Sequence, residues 1–162
     1  MNKMNLMARK KLIIDVGAGE GTFTERLKRK NPTKEVRGID RIPRRAGIIA
    51  ESMGSHFLNM SKEEAERLHA VWANHINLTS SEANQELRIL AQKIPKKVPV
   101  IITIRQERLA PTIYSIEAAG LKVFRHRPIS EKMIMSEDTK KFFDESKNNP
   151  EKRPIRIVAL KQ

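Results

Sequence analysis

A short apolar run ending in an acid, Leu12-Ile-Ile-Asp15, passes directly into glycines at every second position, Gly17, Gly19 and Gly21, and a helical pattern begins at Thr22. The run reads as a buried strand feeding a loop. Glycines there let the backbone turn sharply and let a ligand approach it, while the helix that follows presents unpaired amides at its N-terminus. Phe23 and Leu27, four residues apart, give that helix an apolar stripe, Thr22 stands at its capping position, and Asn31-Pro32 stops it. Strand, glycine loop and helix in this order make the opening unit of an α/β sheet.

The rest of the chain repeats the alternation. Further strands are expected at Glu35–Asp40, His56–Asn59, Ala70–Asn74, Val98–Ile104, Leu121–Arg127 and Ile155–Leu160. Helices are expected at Arg44–Met53, at Ser61 to about Leu68 behind the capping box Ser61-Lys-Glu-Glu64, at Ser81 to about Ile94, and at Thr112–Ala119 with Gly120 as its stop. Val98–Ile104 is the most strand-like segment, β-branched at every position but Pro99. The pattern predicts an α/β fold with a seven-stranded, mostly parallel sheet and helices on both faces. The last two strands are separated by a polar connection over residues 128–154 instead of a plain crossover helix, so the last strand is expected to be antiparallel.

With 162 residues, 39% of them hydrophobic, the chain reads as one domain over 1–162, with a basic N-terminal tail at 1–10. Zero cysteines exclude disulfides, thiolate metal sites and a thiol nucleophile, and the four histidines show no metal-ligand spacing, so no metal is expected. No apolar run reaches membrane-spanning length, and the N-terminus lacks the apolar core of a secretory leader, which leads to the expectation of a cytoplasmic protein. The formal net charge is +13 and it is unevenly placed. Residues 1–50 carry 13 basic and 5 acidic side chains, 51–120 carry 8 and 8, and 121–162 carry 11 and 6. Basic charge gathered at both ends suggests a polyanionic partner, because an ion-pair surface would be balanced.

The segment Asp15-Val-Gly17-Ala-Gly19-Glu-Gly21 resembles motif I of the class I, Rossmann-like methyltransferases that use S-adenosylmethionine, and the order of elements over roughly residues 10–160 follows that family. The resemblance implies a Rossmann-like three-layer sandwich and S-adenosylmethionine as cofactor. It implies that Gly17, Gly19 and Gly21 pack under the methionine portion and ribose, and that Asp15 orients the loop or reaches the cofactor's amino group. Asp40, 19 residues after Gly21 and at the end of the second strand, corresponds to the acid that binds the ribose hydroxyls. Asn59 corresponds to the polar residue that reads the adenine amino group, with Met60 as an apolar wall beside it. Asn59 also reads as a cap for the helix beginning near Ser61, and both readings stand at this point.

The family's acceptor meets the cofactor after the fourth strand, here Trp72-Ala-Asn74-His75-Ile-Asn77. The Asn/Asp-Pro-Pro-Tyr/Phe of enzymes that methylate exocyclic base amines is missing, and so is the cysteine of those that methylate pyrimidine carbon 5. Asn74 and His75 are the candidate catalytic residues, Asn74 also touching cofactor and His75 reading either as a general base or as a hydrogen-bonded loop histidine. Trp72 lies within a strand and reads as core. Lys3, Arg9 and Lys10 in the tail, with Arg125 and Arg127, are the candidate nucleic-acid contacts. Arg37, Arg41, Arg44 and Arg45 form a third basic cluster that reads partly as local charge balance. The resulting expectation is an S-adenosylmethionine-dependent methyltransferase acting on RNA, tRNA or rRNA, with a protein partner as the other route to recognition. A small-molecule methyltransferase and a non-catalytic cofactor-binding subunit of an RNA-modifying complex are the alternatives.

Overall fold

The computed structural model describes residues 9–162; Lys3 and the rest of the tail before Arg9 lie outside the described residues. The strands are β1 (Leu12–Val16), β2 (Glu35–Asp40), β3 (Ile49–Ala50), β4 (Leu68–Asn74), β5 (Val100–Arg105), β6 (Leu121–Pro128) and β7 (Pro154–Lys161), and the helices are α1 (Thr22–Lys30), α2 (Met53–Asn59), α3 (Lys62–Arg67), α4 (Ser81–Lys93), α5 (Leu109–Ala118) and α6 (Glu137–Glu145). One sheet of order β3-β2-β1-β4-β5-β7-β6 holds all seven strands. β1 to β5 pair in parallel, and β7 inserts antiparallel between β5 and β6. This is the sheet expected from the alternation, closed by an antiparallel last strand.

β1 is buried at all five positions, as a central parallel strand must be. One face of the sheet carries the larger core, with Leu12, Ile14, Val71, Ile102, Ile155 and Ile157 packed among Phe57, Leu87, Leu90 and Ile116 of the helices. The other face gathers Ile13, Phe23, Leu27 and Val36, with half-buried Trp72 and Met135 against them. Trp72 therefore packs as expected, edge-on to Phe23 at 5.3 Å between ring centres.

Two expected elements differ. The stretch Arg44–Met53 is a turn-rich segment carrying the two-residue β3, and the strand expected at His56–Asn59 is the second half of α2. The Ser52 hydroxyl accepts the Ser55 N–H at 3.1 Å and starts this helix, which outweighs the short apolar run inside it. The capping box at Ser61 forms as expected, with the Ser61 hydroxyl accepting from Glu64 N–H and the Glu64 carboxylate from Ser61 N–H. The connection over residues 128–154 is largely ordered around α6, which folds back against the ends of β4 and β7.

Candidate functional site

In a sheet wound this way, ligands bind beyond the C-terminal strand ends, where the chain leaves for opposite faces. β1, β2, β4 and β5 end there in the loops that start at Gly17, Arg41, His75 and Gln106. Gly17, Gly19 and Gly21 all have positive φ, at 71°, 52° and 76°. A Cβ on Gly17 would meet Ile76 Cδ1 at 2.9 Å, so the β1 loop packs directly on the β4 loop. Gly21, with Thr22 after it, takes the N-cap position of α1 and supplies no side-chain cap, so the first amides of this helix stay open to a ligand.

Asp40 ties the loop in place. Its Oδ2 accepts the Gly19 N–H at 2.9 Å and its Oδ1 the Ile42 N–H at 2.8 Å, which leaves each oxygen a further lone pair. Asp15 lies beneath the loop, 2% exposed, and accepts the Thr24 hydroxyl at 2.6 Å. Burial pushes its carboxyl up to about 7, the Thr24 hydrogen bond opposes this, and the charge of Asp40 adds to it.

Three cavities meet around the segment that follows β4. One of about 320 Å³ is lined by Gly17, Asp40, Glu51, Met53 and Ile76 among others. A second of about 250 Å³ holds Asp15, Gly17, Gly19, Arg44, Asn74 and His75, with Ser136–Asp138 closing it from the start of α6. The third, about 230 Å³, is lined by His75, Ile76, Asn77, Arg105, Arg108 and Phe142. Gly17 joins the first two, and His75 joins the last two.

Asn74 and His75 are therefore brought to one wall together with Asp15, Gly17 and Gly19. The Asn74 Nδ2 is buried with no hydrogen-bond partner, an orphaned donor at the edge of a cavity. His75 has φ 55°, a conformation that costs a non-glycine residue energy and is held by its N–H donating to the Thr103 carbonyl at 2.7 Å. Its Nε2 lies 2.9 Å from the Thr139 hydroxyl, and its ring tilts against Phe142 at 5.0 Å. The Ser136 hydroxyl donates to the same Thr139 oxygen, so the Thr139 hydroxyl proton is free to point at His75. Burial, and secondarily Arg105, push the His75 imidazole toward its neutral form, against the pull of Asp138.

Asn59 and Met60 do not join this site. Because residues 53–59 are helical, Asn59 sits exposed at the C-terminal end of α2 with its amide on Ser55, Met60 is buried in the core, and neither lines any of these three cavities. The residues that follow the true third strand are Glu51 and Ser52, and Glu51 faces the cavity shared with Gly17, Asp40 and Met53, the largest of the three. Its carboxylate, held below the usual range chiefly by His56, accepts from Ser55 and lies 2.7 Å from His56 Nδ1. The signal that could have found it is the position 11 residues after Asp40 behind the only other β-branched pair of that stretch, Ile48-Ile49.

Of the third basic cluster, Arg37 pairs with Glu35 and Glu64, and Arg41 bridges to Glu82 and Glu86 across the mouth of the largest cavity. Arg9 pairs with Glu63, Lys10 is exposed, and Arg125 and Arg127 lie exposed on the edge strand β6.

No family model and no curated protein matches the sequence. Solved structures do match the fold. The 16S rRNA methyltransferase KamB superposes with a TM-score of 0.70 at 13% identity, over 94% of this chain and 88% of that one. A 30S ribosomal methyltransferase from an uncultured bacterium gives 0.65 at 12% identity, over 96% and 89%. The (4+2)-cyclase SpnF gives 0.59 at 15%, over 94% and 75%, so the same architecture serves more than one chemistry. The chain has the fold of the class I, S-adenosylmethionine-dependent methyltransferases.

Proposed function

We propose that the chain is an S-adenosylmethionine-dependent methyltransferase that acts on structured RNA. The observation that carries this is the junction at Gly17, where a glycine-rich loop and an uncapped helix join two cavities, one holding Asp40 and the other holding Asp15 and the orphaned amide of Asn74. The residues fit the cofactor. Asp40 has lone pairs for two ribose hydroxyls, Glu51 and Met53 stand at the adenine end, and Gly17, Gly19 and Gly21 admit the backbone approach. Asp15 suits the ammonium group, and Arg44 with the open amides of α1 suits the carboxylate. Bound there, the cofactor supplies a methyl group on a cationic sulfur.

The protein's part in such a transfer is mostly alignment. Asn74 offers an amide at the wall shared with the acceptor side. His75, pushed toward its neutral form and accepting from Thr139 at Nε2, positions α6 over the site and is free to act as a base once that hydrogen bond opens. The third cavity continues from His75 toward Arg108 and toward Arg105, which pairs with Glu107, so a positive charge stands on the acceptor side among Ile76, Ile104 and Phe142. That charge, the exposed Arg125 and Arg127 and the net +13 favour RNA over a small acceptor. Several neighbours in fold are named as methyltransferases of 16S rRNA, some of them of its adenine 1408, which supports the same substrate class. Lys3, Arg9 and Lys10 are proposed as further phosphate contacts.

Calorimetry with S-adenosylmethionine and its demethylated product tests the cofactor side. Wild type is expected to bind, and Asp40→Ala to bind about ten- to a hundredfold more weakly, from the loss of roughly 1.5–3 kcal/mol of charge-assisted hydrogen bonding. Equal binding by both, or none by wild type, refutes the reading. Transfer of labelled methyl to ribosomal RNA, retained by wild type and strongly reduced in Asn74→Ala with cofactor affinity unchanged, tests the catalytic side.

A further inference from the structure

The register of the sheet puts Asn74 beside Thr103, Thr103 beside Arg156 and Arg156 beside Arg127, one row running across β4, β5, β7 and β6. Residues paired in register share a face, so this row is a line of polar side chains from the exposed edge to the wall of the site. Thr103 is 1% exposed. Asn74 Nδ2 and Arg156 Nε are two of the three buried polar side-chain atoms without a partner among the described residues, and both are donors. Buried donors in a native protein are nearly always paired, so two on one row point to an acceptor that arrives with a ligand.

The charge on the row says what that acceptor is. Arg156 is half-buried, its guanidinium 5.1 Å from the centre of the Trp72 ring and its Nη2 donating to the Met133 carbonyl at 3.4 Å. Arg127 stands directly opposite it, and Arg125 lies opposite Val158, two positions along and on the same face. None of the three arginines pairs with a carboxylate among the described residues. Like charges directly opposite on neighbouring strands repel, and burial followed by Arg127 and Arg125 lowers the proton affinity of Arg156 itself. A sheet arranged this way is relieved by an anion with several oxygens.

We propose that Arg127 and Arg156, flanked by Arg125, form a phosphodiester site for the RNA at the open edge of the sheet. A free phosphate is the other source of the same chemistry. A chain is favoured because Arg125, His126 and Arg127 are exposed in succession along an open edge strand, a line of contacts rather than a single enclosed point. The proposal takes its substrate class from the methyltransferase reading and uses no residue of the cofactor floor.

The test compares wild type, Arg127→Gln and Arg156→Met, with a short single-stranded oligoribonucleotide and inorganic pyrophosphate as probes. Arg127 is exposed and unpaired, so its variant keeps the fold even if Arg156→Met does not. Fluorescence anisotropy over a salt series is expected to show about tenfold weaker RNA binding by Arg127→Gln, with the log–log salt slope reduced by about 0.7 for the lost contact. In low salt Arg127→Gln should melt at a higher temperature than wild type, and pyrophosphate should raise the wild-type Tm more than that of the variant. An unchanged RNA salt slope overturns the proposal, whether or not pyrophosphate still distinguishes the proteins. S-adenosylhomocysteine titrated into wild type alone decides the cofactor reading separately, since its failure to bind leaves the salt-slope result intact.

Discussion

At the scale of single residues, Asp15 carries the sharpest pH consequence. The unfolded carboxyl titrates near 3.8 and the folded one near 7, so between those values the folded state holds a proton that the unfolded state has released. Stability therefore falls as pH rises from about 4 to 7 and levels off above. Asp15→Asn removes this dependence. Denaturant unfolding should find the variant more stable than wild type by a few kcal/mol at pH 8, with the difference closing toward pH 4. A cationic ligand beside Asp15 restores its charged form, so calorimetry of S-adenosylmethionine near pH 6.5 in buffers of different ionisation enthalpy should detect proton release that Asp15→Asn lacks. Asp15 and Asp40 were legible in the sequence because each ends an apolar run beside glycines or a turn. Arg156 was not, because a lone arginine between Ile155 and Ile157 reads as the solvent-facing residue of an alternating strand, whereas in the fold that face is covered by the segment around Met133.

At the scale of elements, the loops after β1 and β4 work as one unit through Gly17 and Ile76. Gly17→Ala adds a Cβ 2.9 Å from Ile76 Cδ1 and also forces a positive φ on a residue that disfavours it by about 1–2 kcal/mol. Ile76→Ala relieves only the contact. A double-mutant cycle should therefore recover part of the Gly17→Ala loss and leave the backbone part, and a fully additive result would show that the loops do not touch. The misread elements have local causes. β3 has two residues and leaves no periodic trace, and α2 carries Gly54 in its first turn, which argues against a helix in sequence. In the fold that glycine lets α2 pack closely on α4, because a Cβ there would meet Glu86 Cγ at 2.8 Å and displace that side chain. Asn59 followed from the same error, being read as a strand end when it is a helix end.

At the scale of the whole molecule, the described residues divide into an N-terminal half, β1 to β4 with the glycine loop, and a C-terminal half whose Arg125 and Arg127 lie exposed on the β6 edge. The seven-stranded, mostly parallel sheet and its antiparallel closure were legible because each half keeps its own pattern: helical crossovers in the first, a long polar connection in the second. That closure also sets an order of assembly. β6 pairs with β7 alone, and β7 is what joins it to β5. A growing or refolding chain therefore holds Leu121 to Pro128, with Phe124 70% exposed even in the finished fold, as an unpaired strand until a segment 26 residues further along has formed. Pulse-labelling hydrogen exchange should find β1 and β4 amides protected first and β6 amides last, and it is in that interval that the arginines of β6 serve the chain before any ligand arrives, by keeping an open edge from pairing with the wrong strand.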